Sequence, residues 1–519
     1  MPRFIPYGRW HPDAEQPNAP ILLEAANVLP TANGYRPIGA VSAVSQAVGG
    51  IELVQDRAGD DVADRSGNFV VTNDGATGER VRGAINIYAT DGTIYHFAGT
   101  ETGLWTLDTG SLAWDDVTRT SGGAYATAED DRWRFAEFGS TLIATNFTDA
   151  VQAYTLGSST DFAALAGSPP KARYIAVLRD FVVLANTVNS QREIHWSDAN
   201  DATDWTPGSP SLSDTQDIPD GGPITGVVGG EVAYVFQREN ITRMTFVPGS
   251  GAIMQFDLVE QGRGCYAPDS LVSNGYEAFY LAMDGPYRMN LLSGTSQPIG
   301  IAKFRDWLVN DIAPGTHAYI DAALDVSNNR YMMAYISNNG TSDTIADRIL
   351  IYDWMIDEAS IINADVAIMQ RWLSPGYTLE QLDQFGSIDG LPYSLDHSFW
   401  KGGAPLLAVF SSDNKMSYFA GDNMQATMVT GDGQLDGKRV LVRGTRPHID
   451  TTEATVALAG RERDGDAVSY GPTESMEDTG EVPGWASGNY VRAKVVVPSG
   501  ATWTSAKGLD TDAVDAGER

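Results

Sequence analysis

The feature that most constrains the fold is a short unit of two apolar runs separated by a polar break, which recurs along most of the chain. In one example, Val232 to Phe236 and Ile241 to Phe246 flank the break Gln237 to Asn240. Runs of this kind on either side of a polar break are typical of a β-hairpin. A single hairpin is at best marginally stable in water, so a chain of hairpins must pack them against one another. The recurrence therefore predicts an all-β protein assembled from small sheets.

Further units of this type follow one another between residues 83 and 419. They are centred on the segments Gly83–Phe97, Arg132–Thr145, Lys171–Ala185, Glu277–Leu291, Arg330–Trp354 and Leu406–Phe419. Aligned on their central strands, the units recur roughly every 40 to 55 residues, with one longer interval near the end, which fits the four-stranded blades of a β-propeller. We predict a propeller of six or seven blades over residues 55–423. Stacked β-sandwiches are the alternative all-β arrangement.

The residues before the first unit predict an extended N-terminal segment, residues 1–54. Leu29 to Ile38 contains too many Pro, Gly and Asn residues for a helix. Such a segment usually lies across other elements or reaches a neighbouring subunit. Its aromatic residues Phe4, Tyr7 and Trp10 either anchor it on a neighbour or are buried in the core of the same chain.

The pattern changes after residue 423, and residues 424–519 predict a smaller C-terminal β domain that resembles a sandwich. Its strands are expected at Gly437–Gly444, Ala454–Ala459 and Tyr490–Pro498. Helix is scarce, and Ile301–Asn310 is the best candidate because its apolar residues have helical spacing.

The charge of the chain argues against a nucleic-acid-binding surface. Its net charge is -32, with 67 Asp and Glu residues against 35 Lys and Arg residues. Phosphate binding needs clustered basic residues, and no run of four or more occurs. Solubility alone is an alternative explanation of the acidity.

The single cysteine bears on how the chain is stabilised. Cys265 cannot form an intrachain disulfide, and no neighbouring residue supplies a base for a catalytic thiol, so we expect a structural role.

No apolar run approaches the roughly 18 residues of a membrane span, and the first ten residues lack a signal-peptide core. We expect a protein made and used in a cytoplasm.

One acidic run is a candidate ion site. Asp198, Asp201 and Asp204 lie beside Trp196 and Trp205, and carboxylates this close could hold calcium. The spacing is not that of an EF-hand, and Asp is also a common turn residue, so a structural turn is the favoured interpretation.

Other motifs assign no site. Glycine-rich pieces such as 220–223 and 249–251 lack the ending of a phosphate loop. A glycosidase needs a pair of carboxylates, and 67 acidic residues give many chance pairs. The sequence therefore assigns no catalytic, cofactor-binding or metal-binding residue.

Several segments resemble, in the same order, the tail hub or nozzle proteins of short-tailed bacteriophages. In the predicted propeller these segments are His195–Thr206, Ile224–Gly230 and Phe236–Met244. At the chain ends they are Asn27–Pro30, Gly34–Pro37, Tyr490–Arg492, Ala506–Asp510 and Ala516–Arg519. No single motif is specific, but their order covers almost the whole chain.

The resemblance implies a structural virion protein and not an enzyme. Such proteins form a homo-oligomeric ring, typically a hexamer, below the portal and adaptor rings, and tail fibres are further possible partners. The ring is the distal tail tube, which retains the packaged genome and releases it into the host. The expected location is the virion tail, after assembly in the host cytoplasm.

The acidity agrees with a conduit through which DNA passes without specific binding, because each phosphate held by a cation would slow the strand. The intervals Thr341–Asp347 and Leu373–Trp400 resemble insertions and leave the blade count open. A glycan- or receptor-binding propeller is the alternative function, and a propeller glycosidase is a third.

Overall fold

The all-β class predicted from the sequence is confirmed. A computed structural model describes residues 2–14, 19–49, 54–55, 61–62, 70–71, 78–89, 92–109, 111–249, 253–374, 382, 395, 400, 405–434 and 438–516. These residues form 43 strands, α-helix α1 (Arg305–Asp311) and 3-10 helices at Pro268–Ser270, His317–Tyr319 and Val326–Asn328. The helix α1 is far too short to span a membrane.

The N-terminal residues contribute nine strands. They are β1 (Pro2–Pro6), β2 (Arg9–Trp10), β3 (Ile21–Ala26), β4 (Val28–Thr31), β5 (Gly34–Pro37), β6 (Gly39–Ala47), β7 (Val54–Gln55), β8 (Asp61–Val62) and β9 (Val70–Val71). The last three form a small sheet of their own. Of the other six, β1, β3, β5 and β6 pair with strands from distant parts of the chain, whereas β2 pairs with β3 and β4 pairs with β5.

Five consecutive four-stranded antiparallel sheets follow, each built from strands adjacent in sequence. The first is β10 (Gly83–Tyr88), β11 (Ile94–Gly99), β12 (Leu104–Asp108) and β13 (Ala113–Asp116). The second is β14 (Arg134–Phe138), β15 (Thr141–Thr145), β16 (Gln152–Thr155) and β17 (Ala163–Ala164). The third is β18 (Ala172–Leu178), β19 (Phe181–Thr187), β20 (Glu193–Trp196) and β21 (Asp214–Asp217). The fourth is β22 (Ile224–Val228), β23 (Ala233–Gln237), β24 (Ile241–Phe246) and β25 (Met254–Glu260), and the fifth is β26 (Val272–Ser273), β27 (Glu277–Ala282), β28 (Gly285–Asn290) and β29 (Thr295–Pro298).

Two further groups of four strands use N-terminal strands. The group β30 (Asp321–Asp325), β31 (Arg330–Tyr335), β32 (Ala346–Asp353) and β33 (Glu358–Val366) continues through β3 into the C-terminal strands. The group β34 (Ile368–Leu373), β35 (Pro405–Phe410) and β36 (Lys415–Asn423) takes β6 as its fourth strand. The N-terminal segment thus completes the last small sheet.

The C-terminal strands form two sheets that also include N-terminal strands. They are β37 (Ala426–Thr430), β38 (Val440–Ile449), β39 (Thr455–Arg461), β40 (Tyr470–Ser475), β41 (Val482–Gly488), β42 (Tyr490–Val497) and β43 (Ala506–Asp515). One sheet runs β4-β5-β43-β38-β41 with β1 on β43, and the other extends β30–β33 through β3-β37-β42-β39-β40. Backbone pairing therefore crosses both proposed boundaries, and the division at residues 54 and 424 stays a prediction.

The hairpin at Val232 to Phe246 is confirmed in its strands and its break. Strand β23 pairs antiparallel with β24, with Phe236 opposite Ile241. The break is closed by the N–H of Gln237, which donates to the carbonyl of Asn240 at 2.8 Å. In the first unit, residues 90 and 91 between β10 and β11 lie outside the described residues.

The predicted helix begins later than expected. Ala302 has a φ of +54° and Gly300 a φ of +72°, so residues 300–304 form a turn and α1 starts at Arg305. Its first turn is capped from the N-terminal segment, because the carboxylate of Asp13 accepts the N–H groups of Asp306 and Trp307 at 2.9 and 2.8 Å.

The aromatic residues of the N-terminal segment are buried in the chain's own core. Trp10 is 1% exposed and Tyr7 is 4% exposed. The Trp10 ring stacks on Phe304 at 5.5 Å and meets Trp307 edge-on at 5.0 Å. The interpretation as an anchor on a neighbour is therefore wrong for these two residues, while the side chain of Phe4 lies outside the described part.

This burial makes Trp10 a test of how the N-terminal segment is held. We expect Trp10→Ala to lower the free energy of unfolding by about 3–5 kcal/mol, because it empties a packed aromatic site. Trp485→Ala is the matched control, since that side chain is 78% exposed, and should change stability by less than about 0.5 kcal/mol. Denaturant titration measures both, and equal effects would contradict this packing.

Candidate functional site at the centre of the sheets

Six first strands of the sheets and one 3-10 helix contact one another in a closed cycle. Strand β10 contacts β14, β14 contacts β18, and β18 contacts β22. The cycle continues through the 3-10 helix Pro268–Ser270 to β30, then to β34, which contacts β10. These strands and the 3-10 helix therefore surround a common centre.

Arginine residues cluster at that centre because they lie at or just before the first strands of the sheets. A basic-x-basic pattern stands at the start of three successive first strands, as Arg80-Val-Arg82, Arg132-Trp-Arg134 and Lys171-Ala-Arg173. Residues two apart on an extended strand point to the same side. Arg132 and Arg134 accordingly reach the same carboxylate, that of Asp269.

The arginines of the second sheet reach across the centre to other sheets. Nη2 of Arg134 donates to Oδ1 of Asp269 at 2.6 Å, and Nε of Arg132 lies 3.7 Å from Oδ2 of the same carboxylate. Arg132 also donates from Nη1 to the carbonyl of Ala367 at 3.5 Å. Asp269 precedes β26 and Ala367 precedes β34, so these contacts join the second, fifth and last groups.

The arginines before β10 make contacts of a different kind. Nη2 of Arg80 donates to the carbonyl of Thr344 at 3.0 Å, and its guanidinium lies 5.3 Å from the ring centre of Tyr319. Arg82 is buried, and it donates to the carbonyl of Thr127 and to the exposed carboxylate of Glu101. Burial, together with the charges of Arg132 and Arg82, lowers the pKa of Arg80 to about 10.

Two more aspartates complete the cluster. Asp131 is buried and accepts from Arg173, and burial raises its pKa in spite of that partner. Asp321, the first residue of β30, accepts the backbone N–H of Met369. Burial raises the pKa of Asp321 to about 7, although Arg132 and Arg134 oppose the shift.

The three aspartates singled out by the sequence do not converge on an ion. Asp201 accepts from the N–H of Thr203, Asp204 from that of Thr206, and Asp198 from that of Leu212. These are turn and loop hydrogen bonds, as the structural interpretation expects. In the described part of the chain, no group of three or more His, Cys, Asp or Glu residues could hold a metal ion.

Cys265 is fully buried, and its thiol donates to the carbonyl of Ala267 at 3.0 Å. Burial raises its pKa to about 12, so the reactive thiolate is absent at neutral pH. The environment agrees with a structural role.

Two clefts lie away from the centre. An open cleft of about 660 Å³ is lined by N-terminal residues and by Glu358, whose carboxylate pairs with Arg9 at 2.6 Å. A second cleft of about 480 Å³ contains Glu481 and Asp510, which pair with Arg446 at 2.7 Å and His448 at 3.0 Å. The first cleft has a single acidic residue among its lining, so it lacks the carboxylate pair of a glycosidase.

Comparisons with known proteins leave the chain without an assigned family. No protein family and no curated protein matches it. The extracellular domain of a putative hybrid two-component system from Bacteroides thetaiotaomicron is similar at a TM-score of 0.39 and 10% identity, covering 76% of this chain and 46% of that one. A quinonprotein alcohol dehydrogenase-like protein from the same organism gives a TM-score of 0.34 at 12% identity over 54% of this chain and 66% of that one. The designed protein Ika8 gives 0.35 at 8% identity over 73% and 99%. At these TM-scores none of them carries an argument about this chain.

The raised pKa of Asp321 predicts a pH dependence of stability. A carboxyl with a folded pKa near 7 and an ordinary unfolded pKa favours folding below about pH 4, and this contribution is lost as the pH rises to 7. Between pH 4.5 and 8 we expect the wild type to lose up to a few kcal/mol relative to Asp321→Asn. Glu358, whose pKa is also raised to about 7, titrates in both proteins and cancels in the difference. Denaturant titrations at several pH values measure this, and parallel profiles would contradict it.

Proposed function

We propose that this chain is a structural, non-enzymatic virion protein that forms the tail nozzle ring of a short-tailed phage. The ring is a homo-oligomer, a hexamer in the simplest case, that docks on the tail adaptor or portal and offers an attachment site for tail fibres. It retains the packaged genome and releases it through a lumen that does not bind DNA. The proposal rests on the ordered series of segments that resemble those of nozzle proteins along almost the whole chain.

The sheet arrangement supports a seven-bladed propeller as the body of each subunit. Five sheets of consecutive strands, the group β30–β33 and the group closed by β6 give seven sets of four strands. Six of their first strands, with the 3-10 helix Pro268–Ser270 in the place of the fifth, contact one another in a cycle, as blades around one axis do. Closing the last blade with an N-terminal strand ties the two ends of the propeller together.

The strand pairing between the propeller and the C-terminal sheets supports a role in which the protein withstands mechanical force. Strand β3 lies between β33 of the propeller and β37 of the C-terminal part, and its backbone bonds to both. One hydrophobic cluster contains Trp10, Phe304, Tyr331 and Val495, which come from all three predicted parts. A tube wall that holds DNA under pressure requires domains that do not separate. Domains joined only by a flexible linker would separate first.

The proposed conduit lies between copies and not along the axis of a single propeller. The centre of the sheets is occupied by Arg132, Arg134, Asp269 and their partners, which contact one another across it. The acidic surface then supports a lumen formed by several copies. Exposed acids such as Glu477, Asp478 and Glu481 offer one candidate lining.

Electron microscopy of the purified chain and of virions tests the proposal. We expect a closed ring of identical copies in solution or on the adaptor, located at the distal tip of the tail. Mass measurement of the same sample gives the copy number. A monomer at every concentration, absent from the tail and able to bind or cleave glycans, would favour the propeller binding module or glycosidase instead.

A further inference from the structure

The open cleft of about 660 Å³ lies where the N-terminal segment meets the starts of β33 and β43. Hydrogen bonds between these elements fix its lining. The backbone N–H of Tyr7 donates to the carbonyl of Lys507 at 3.0 Å, and the hydroxyl of Tyr35 donates to the carbonyl of Gly8 at 3.1 Å. A volume of this size falls in the range of roughly 300–1,000 Å³ that is typical of sites for small molecules.

Two deeply buried residues of this lining have oxygen atoms without a hydrogen bond. Tyr7 is 4% exposed and Glu358 is 8% exposed. In the described part of the chain, the hydroxyl of Tyr7 and Oε1 of Glu358 have no hydrogen-bond partner, although Nε of Arg9 lies 2.6 Å from Oε1. A buried polar atom without a partner is costly, and each such atom in a folded protein calls for one. A ligand in the cleft can supply the missing donors.

Two cationic side chains of the same lining are exposed. The side chain of Arg9 is 60% exposed and faces Glu358 through Nε alone, and Lys507 is exposed. Among the described residues, Arg9 and Lys507 take part in no ion pair besides the one between Arg9 and Glu358. Two cations and one carboxylate are therefore the charged groups of the lining. The neighbouring Lys303 and Asp357 pair with each other at 2.5 Å and lie outside it.

We propose that this cleft binds a sugar acid, whose carboxylate faces Arg9 and Lys507 and whose hydroxyl groups donate to Glu358. Guanidinium and ammonium groups both donate to carboxylate oxygens. A carboxylate such as Glu358 accepts hydrogen bonds from hydroxyl groups but repels a simple anion, so the ligand must carry donors beside its negative charge. The volume of the cleft is larger than acetate or a small amino acid fills, and it suits one or two sugar rings.

Calorimetric titration of the full-length protein separates the two halves of this recognition. The sugar acids used are D-glucuronate, D-galacturonate and N-acetylneuraminate, and the comparison ligands are D-glucose, acetate and glycine at the same ionic strength. We expect at least one sugar acid to bind at least ~10-fold more tightly than glucose and acetate, because only a sugar acid engages both the cations and Glu358.

The variant Lys507→Gln tests the cationic half. Lys507 is exposed and forms no ion pair among the described residues, so the variant should fold as the wild type does. We expect it to bind the sugar acid about 5- to 10-fold more weakly and glucose without change. Arg443→Gln is the matched control, because Arg443 is exposed on β38 and lines the other cleft, and it should leave both affinities unchanged.

The variant Glu358→Gln tests the hydroxyl-binding half. Loss of the negative charge should strengthen the binding of acetate, while loss of a carboxylate acceptor should weaken the contacts of the hydroxyl groups. We therefore expect the preference for the sugar acid over acetate to fall at least ~5-fold. Glu477→Gln is the matched control, since Glu477 is exposed and lines the other cleft, and it should keep the preference of the wild type.

Three results would overturn the proposal. They are binding of all three sugar acids no tighter than that of acetate, tighter binding of glycine than of every sugar acid, and unchanged binding of the sugar acid by Lys507→Gln. The inference goes beyond the proposed function and does not depend on it, because ring assembly is measured separately by mass. A ring that binds no sugar acid would overturn this inference alone.

Discussion

The antiparallel pairing of β6 with β36 is the interaction on which the rest of the structure depends. It matches Ala47 with Lys415 and Ser42 with Tyr418, residues at opposite ends of the series of small sheets. Without it, β36 would be an unpaired edge with exposed backbone donors and acceptors, and the last sheet would have three strands. The cycle of first strands closes beside this pairing, because β34 of the same sheet contacts β10 and β6 contacts β13.

The cost of this arrangement is a large loop-closure entropy, since strands far apart in sequence must meet before either gains from burial. Burial of the N-terminal aromatic residues compensates for part of it. Trp10 packs between Phe304 and Trp307, and Asp13 caps the helix that carries Trp307. The N-terminal strands and aromatic residues therefore hold together elements that lie much later in the sequence.

The local part of this fold was predictable from the sequence, and the long-range part was not. The hairpin at Val232 to Phe246 follows from apolar runs and a polar break, which are local signals. The place of β3 between β33 and β37 depends on which distant edges remain open, and no pattern within residues 21–26 carries that information. The helix start at Arg305 was missed because Gly300 and Ala302 impose a turn that the apolar spacing does not register.

The central arginines show the same division between local and distant information. The repeated basic-x-basic pattern at residues 80–82, 132–134 and 171–173 is visible in the sequence, and it coincides with strand starts. The three pairs lie about forty to fifty residues apart, so a search for runs of basic residues does not detect them. They come close together only because the sheets repeat at about the same interval around one centre. Asp269 gives no signal at all, because its role depends on where the fifth sheet places it.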